Sequence, residues 1–421
     1  MKKILLLLTL SGSLLSAAQK NSFSSQYNMA RKMLQEKDYF RAKELIQTND
    51  GKWNDFEKLV LNANLDNIFN KASASNVKIK KLFSEYQSQM PDSLKAGLLR
   101  LKHANHGRLF EYADAYTTAT EIISKYKSEV SVSEIADFQN MAEIWKLLSN
   151  QPKQEIVNKG AAIKMSRDKA QLANLPVKSG AIRSEFIFDT GANFSTVTET
   201  TAKQLGMKLL GGKIEVGSIT GNKVDAQMAI CPVLEIGSIR VKNAVFLVFP
   251  DTALAFPQID YQINGIIGFP VIEAMGEVQI TQDDHFIVPT TFTTESGNDM
   301  AFDFLTPVIN INGDAYTFDT GAVGTSLYMK FFEKHKEAIT ATYNETELEF
   351  GGAGGMVKKK GYVITYSPEI SGKKLTINGV QLLTEKPGED DKPFYGNIGQ
   401  DVIKQFGKMT INFRKTFIRF D

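Results

Sequence analysis

The sequence predicts an α+β chain of several domains, an all-helical segment followed by a duplicated all-β region in two lobes. Three observations carry that expectation. The residue grammar switches near Gln154, the pentapeptide FDTGA is written twice, and the sequence around both copies matches at nearly one offset. A length of 421 residues with 43% hydrophobic and 23% charged content leaves room for two or three globular domains. A formal net charge of +2 gives no reason to expect nucleic acid or an anionic membrane as a partner.

The chain opens MKKILLLLTLSGSLLSAAQK, with a short basic start, an apolar stretch from Ile4 to about Leu15, and small residues before Gln19. That layout predicts a signal peptide over 1–18, cleaved after Ala18, and export to the periplasm or beyond the cell. The apolar stretch is too short and too broken to favour a spanning helix, and no later segment approaches 18 consecutive apolar residues. A soluble exported protein without a membrane span is expected.

Residues 24–150 show helical periodicity with few Gly or Pro. In YNMARKMLQEKDYFRAKELI, Met33, Leu34, Ala42, Leu45 and Ile46 recur at three-to-four spacing on two short segments. Further on, Gly107, Phe110 and Ala113 echo Glu36, Tyr39 and Ala42 at an offset of 71, near two 34-residue helical hairpins. The segment looks like a degenerate TPR-type solenoid, and an irregular bundle fits equally well. Its expected role is packing or binding a protein partner, because no chemistry is visible in it.

After about Gln154, RSEFIFD, NAVFLVFP, GKKLTINGVQLL and KTFIRFD read as short β-branched and aromatic strands between turn residues. FDTGANFSTV at 188–197 and FDTGAVGTSL at 318–327 place Asp189 and Asp319 130 positions apart. A specified five-residue string has little chance of recurring in a chain this long. LPV (175–177) and TPV (306–308) precede the two copies, and Gly268 and Gly399 follow the aspartates by 79 and 80 residues. MGEVQITQDDHFI from Met275 also aligns with FGKMTINFRKTFI from Phe406. An internal repeat of some 120 residues follows, with lobes over 155–290 and 300–421 divided by the polar TTFTTESGND (290–299).

The four histidines are scattered and Cys231 stands alone, so no metal site, cofactor or disulfide is expected. Cys231 lies in the apolar run AQMAICPVLEI and reads as a buried structural thiol in preference to a catalytic one. Gly351–Gly355 lacks the Gly-Lys-Ser/Thr ending and the strand-to-helix setting of a phosphate loop. What remains is the pair of carboxylates. Brought face to face they would share one proton, the ionised member taking a proton from water and the protonated member polarising a carbonyl.

Paired Asp-Thr-Gly loops, each followed about 80 residues later by an apolar Gly turn, resemble the aspartic proteases of the pepsin and retropepsin group. The resemblance spans roughly 155–421, implies a pepsin/retropepsin-like two-lobed fold, and is nearer to retropepsins in its Asp-Thr-Gly-Ala wording. It implies peptide-bond hydrolysis of a peptide or protein substrate with Asp189 and Asp319 as the catalytic dyad. Thr190 and Thr320 would hydrogen-bond across the interface, supported by Gly191 and Gly321. Flap candidates are Gly217 and Gly221 in EVGSITGNKV, and Gly352 and Gly354 in EFGGAGGMVKK; plain exposed hairpins fit these stretches equally. Ala192 and Ala322 stand where pepsin-like enzymes place a hydroxyl, so the dyad should stay singly protonated to higher pH. Asn397 replaces a usually apolar residue in the second turn, which predicts a looser brace there. The alternative function is a weak or inactive pepsin-like scaffold that binds peptides while the helical domain holds a partner.

Overall fold

The structure is a computed structural model describing residues 24–217, 223–294, 297, 299–352, 355–385 and 393–421. It is α+β: helices occupy the first part and β-sheets nearly all of the rest. The segment expected to be a signal peptide, 1–18, lies outside the described residues.

Among the described residues seven α-helices come first: α1 (Ser25–Gln35), α2 (Tyr39–Thr48), α3 (Asp55–Ile68), α4 (Ala72–Glu85), α5 (Asp92–Arg108), α6 (Tyr112–Lys125) and α7 (Val132–Leu148). Asn54 and Ser131 start α3 and α7 with reciprocal caps, each accepting from the third backbone N–H while Glu57 or Glu134 returns to the cap. The turns α1–α2, α3–α4 and α5–α6 share one construction, with Lys37, Asn70 and Phe110 at φ of 58°, 59° and 54°. The residue after each donates its N–H five positions back, to Met33, Asp66 and His106. This corrects the internal offset. Lys37 corresponds to Phe110, a spacing of 73 (110 − 37), so Tyr39 and Ala42 match Tyr112 and Ala115, all four buried. Phe110 marks the turn; it is not the partner of Tyr39.

Two large sheets follow, joined by a five-stranded one. In the first, the strands Ala173–Ser179, Ile182–Phe188, Gly265–Ile267, Ser195–Thr198 and Ile239–Phe249 lie side by side. In the second, Thr306–Ile311, Asp314–Phe318, Gly396–Ile398, Ser326–Leu327 and Ile377–Leu383 lie in the same order with the same mutual senses. The joining sheet has Glu277–Thr281 against Lys408–Asn412 at its middle, with Gln279 directly opposite Thr410. One apolar core runs through all three, from Leu175 and Phe186 through Val278 and Ile411 to Phe318 and Leu382.

The helices brace both halves of the β region. α1 to α5 share a core with Ala301, Val308, Ala315 and Phe394, and the Tyr39 hydroxyl donates to Asp303 at 2.9 Å. Buried Arg108 ties α5 to the first half, meeting Glu273 at 2.9 Å and the Asn67 carbonyl at 2.9 Å. α6 and α7 pack on the far face of the first sheet, where Trp145 and Ile144 meet Ile214, Met228 and Leu247. The Asn140 amide also exchanges hydrogen bonds with the Glu215 backbone at 2.7 and 3.2 Å.

Candidate functional site

Each FDTGA segment leaves a central strand at a buried phenylalanine, Phe188 or Phe318, and turns at once. The Asp189 N–H donates to the Ile267 carbonyl (3.1 Å), and the Asp319 N–H to the Ile398 carbonyl (3.0 Å). The second Gly-containing turn of each half therefore pins the start of its loop. Gly268 and Gly399 must be glycine. A Cβ on Gly268 would lie 2.5–2.7 Å from Phe194 and Ser195 backbone atoms, and one on Gly399 2.6–2.9 Å from Gly324 and Ala322.

The two loops meet through a symmetric lock. The Thr190 N–H donates to the Thr320 hydroxyl and the Thr320 N–H to the Thr190 hydroxyl, both at 3.0 Å. Each hydroxyl then donates onward, Thr190 to the Phe318 carbonyl (3.2 Å) and Thr320 to the Phe188 carbonyl (3.0 Å). Both threonines are buried, so every donor and acceptor in the lock is used away from water.

The lock brings the predicted aspartates together. A Cβ on Gly191 would sit 2.6–2.7 Å from the carboxyl atoms of Asp319, and a Cβ on Gly321 would collide in the same way with Asp189. Each carboxyl thus lies over the glycine of the opposite loop, and the two carboxyls are hydrogen-bonding neighbours. Asp189 Oδ1 accepts from Gly191 N (2.8 Å) and Ala192 N (3.1 Å), and Asp319 Oδ1 accepts from Gly321 N (2.7 Å). Burial first, and then the facing Asp319 carboxyl, hold Asp189 well above the usual carboxylate range. Gly191 is exposed, and Asp189 and Asp319 are half-buried by residue exposure.

Two of the flap candidates, Gly217 and Gly352, lie on long hairpins. Gly217 ends the strand Lys208–Gly217, pairs with Lys223 and is exposed; Gly221 lies outside the described residues. Gly352 pairs with Gly355 near the tip of the second hairpin, and Gly354 lies outside the described residues. The first hairpin is kinked at Gly211 and Gly212, both at positive φ, where the strand passes against Leu147 of α7. Cys231 is buried, as its apolar setting predicted.

Several residues at the site were not singled out from the sequence. Ser195 and Thr325, again 130 apart, accept from Gly268 N (3.0 Å) and Gly399 N (3.3 Å), fixing the second turns to the loops. Their position six residues after each aspartate was the available signal. The Gln400 amide supports the Thr320 carbonyl at 2.7 Å. The looser brace expected at Asn397 is not found, because Thr317 Oγ1 donates to Asn397 Oδ1 at 2.6 Å across the strand pair.

Among the described residues, one group could place three ligand atoms round a cation: His106, Glu111 and Asp114, within 4.8 Å of one another. It sits at the α5–α6 turn, where Lys153 already pairs with Glu111 at 3.6 Å. No helix among the described residues is long and apolar enough to cross a membrane.

Comparison with known proteins agrees with this geometry for part of the chain. Residues 173–271, holding the first loop and its second turn, match the family model described as aspartyl protease. That match supports aspartic protease activity, and with it a peptide substrate, at the level of the family. No curated protein matches the chain.

Proposed function

We propose that this chain is an exported, single-chain aspartic endopeptidase whose dyad is Asp189 and Asp319. The observation that carries it is the placement of each carboxyl over the opposite loop's glycine, with the reciprocal threonine bonds holding both loops. One shared proton lets the pair act as base and acid together. The ionised carboxylate takes a proton from a water molecule as its oxygen attacks the peptide carbonyl carbon. The protonated carboxyl gives its proton to the carbonyl oxygen, producing a neutral gem-diol. Collapse returns a proton to the pair, protonates the nitrogen and breaks the C–N bond.

The two halves are read as an internal duplication. Five strands recur in order, Thr190 and Thr320 exchange identical bonds, and Gln279 faces Thr410 across the joining sheet as a local two-fold would require. The hairpins ending at Gly217 and Gly352 are read as flaps. The first 18 residues support export to the periplasm or outside the cell. The repeated helix pairs support a TPR-like segment able to hold a protein partner.

The test incubates mature protein, Asp189→Asn and Asp319→Asn with an unfolded protein from pH 3 to 8, mapping products by mass spectrometry. Cleavage by wild type alone, with a weakly acidic to neutral optimum, is expected. Cleavage retained by either variant overturns the shared dyad. No cleavage by folded wild type overturns the peptidase in favour of a peptide-binding scaffold. A profile peaking below about pH 3.5 removes the argument from Ala192 and Ala322.

A further inference from the structure

The two loops of the site differ in one backbone donor, Ala192 N, which reaches Asp189 Oδ1 while Ala322 N reaches the Asp319 carbonyl, and the two halves differ more just behind them. Beneath Asp189, the paired residues of the two central strands are Ile187 and Ile266. At the matching pair beneath Asp319 they are Thr317 and Asn397. An apolar pair in one half is thus a polar, hydrogen-bonded pair in the other. The Thr317 hydroxyl lies 2.6 Å from Asn397 Oδ1, the shorter contact, and 3.3 Å from the Gly396 carbonyl, and the bond to Oδ1 favours this orientation of the Asn397 amide. Its nitrogen, Nδ2, is then aimed at Asp319 Oδ2, 3.5 Å away.

We propose that Asn397 is a positioning residue that makes the dyad asymmetric: oriented by Thr317, it donates to Asp319 and holds that carboxyl as the ionised base, leaving the shared proton on Asp189. The assignment rests on the protease reading of the site. An amide NH₂ donates to a carboxylate and gains nothing from a protonated oxygen that already carries its hydrogen, so it favours the charged form. Asp189 has isoleucine at both corresponding positions, and burial and Asp319 outweigh the backbone N–H groups of Gly191 and Ala192 to hold its carboxyl in the protonated direction. Among the described residues, the titratable groups found facing Asp319 come from two surrounding elements. One is Asp189 on the opposite loop; the other is Tyr328, which follows the strand Ser326–Leu327 and hydrogen-bonds the Thr317 side chain. Burial pushes the Tyr328 phenol up, so it stays neutral across the working range. In the forward step, water therefore loses its proton to Asp319 and the peptide carbonyl oxygen gains one from Asp189.

The test compares wild type, Asn397→Leu and Thr317→Val. The leucine keeps the volume without the donor; the valine keeps the amide but frees its orientation. In the pH dependence of kcat/KM, the acidic limb reports charging of the first carboxyl and the alkaline limb loss of the second proton. Asn397→Leu should raise the acidic limb by about half to one pH unit and leave the alkaline limb in place. Thr317→Val should move it the same way by less. Labelling aspartate carboxyl carbons with ¹³C reads the lower titration step of the pair in the same variants without any substrate. An acidic limb and a lower step that stay put in both variants overturn the proposal, whatever happens to kcat. Two limbs that move together also overturn it, because that marks a general change in the cleft. Failure of the protease reading is separate: wild type would then show no cleavage, while the carbon titration still decides the role of Asn397.

Discussion

Replacing Thr190 with valine removes one hydroxyl from the lock between the loops and keeps its volume. The hydroxyl serves two partners, accepting from the Thr320 N–H at 3.0 Å and donating to the Phe318 carbonyl at 3.2 Å. Thr190 is fully buried and Thr320 is 2% exposed, so water cannot replace either partner without opening the interface. Stranding a buried N–H costs about 1–3 kcal/mol and losing the carbonyl's bond roughly another 1, so Thr190→Val should cost about 2–4 kcal/mol. Thr190→Ser keeps both bonds and gives up one methyl, for about 0.5–1.5 kcal/mol. Thr320→Val should match Thr190→Val, because it strands the Thr190 N–H and the Phe188 carbonyl. The two valines remove separate bonds, so the double variant should cost about the sum of the two, and any departure measures coupling between the loops. Urea unfolding of the four variants beside wild type measures these quantities, and activity should fall with the valines because both carboxyls ride on the loops. A Thr190→Val cost under about 0.5 kcal/mol, or serine as damaging as valine, would refute the argument that these bonds hold the loops together.

Gly191→Ala should displace Asp319, whose carboxyl atoms lie 2.6–2.7 Å from the new Cβ, and lower kcat/KM by about 100-fold; activity within twofold of wild type would contradict the stacking of carboxyl on glycine. Asp189 holds its proton more tightly folded than unfolded, so its contribution to stability falls as pH rises through the carboxylate range and is smallest at neutral pH. Asp189→Asn should therefore unfold at a higher temperature than wild type at pH 7, with the difference closing towards pH 4; a variant less stable at pH 7 counts against the buried pair. His103 is buried and accepts from Trp145 Nε1 at 2.8 Å, and burial, then His106, lowers its pKa to about 4. The unfolded chain binds that proton near pH 6.5, so stability should fall by about 3 kcal/mol as pH drops from 6.5 to 4. His103→Gln should flatten that slope in unfolding curves recorded across the window, and an unchanged slope would assign it to other groups.

The parts of the site legible in the sequence were those written twice. Asp189 and Asp319 stood out because a pentapeptide recurred, and the flanking repeat identified the second turns that end at Gly268 and Gly399. The partners that complete the site come from far along the chain and leave no local mark. Asn397 was visible as a departure from an apolar position. That it is braced by a hydrogen bond follows from Thr317, 80 residues earlier and opposite it in a parallel strand pair. Helices were legible from periodicity, yet their repeat was offset by two residues because Phe110, aromatic like a core residue, occupies a left-handed turn. Gly212 lies against Leu147 of α7, across an interface that no local pattern announces.

The proton shared by Asp189 and Asp319 can be observed without knowing the substrate. In protein labelled with ¹³C at the aspartate carboxyl carbons, carbon shifts would be followed from pH 3 to 9 in wild type, Asp189→Asn and Asp319→Asn. One wild-type carboxyl should titrate far above ordinary aspartates, and that high step should be absent from both variants. Two carboxyls that titrate independently in the ordinary range, unchanged when either partner is replaced, would contradict a dyad.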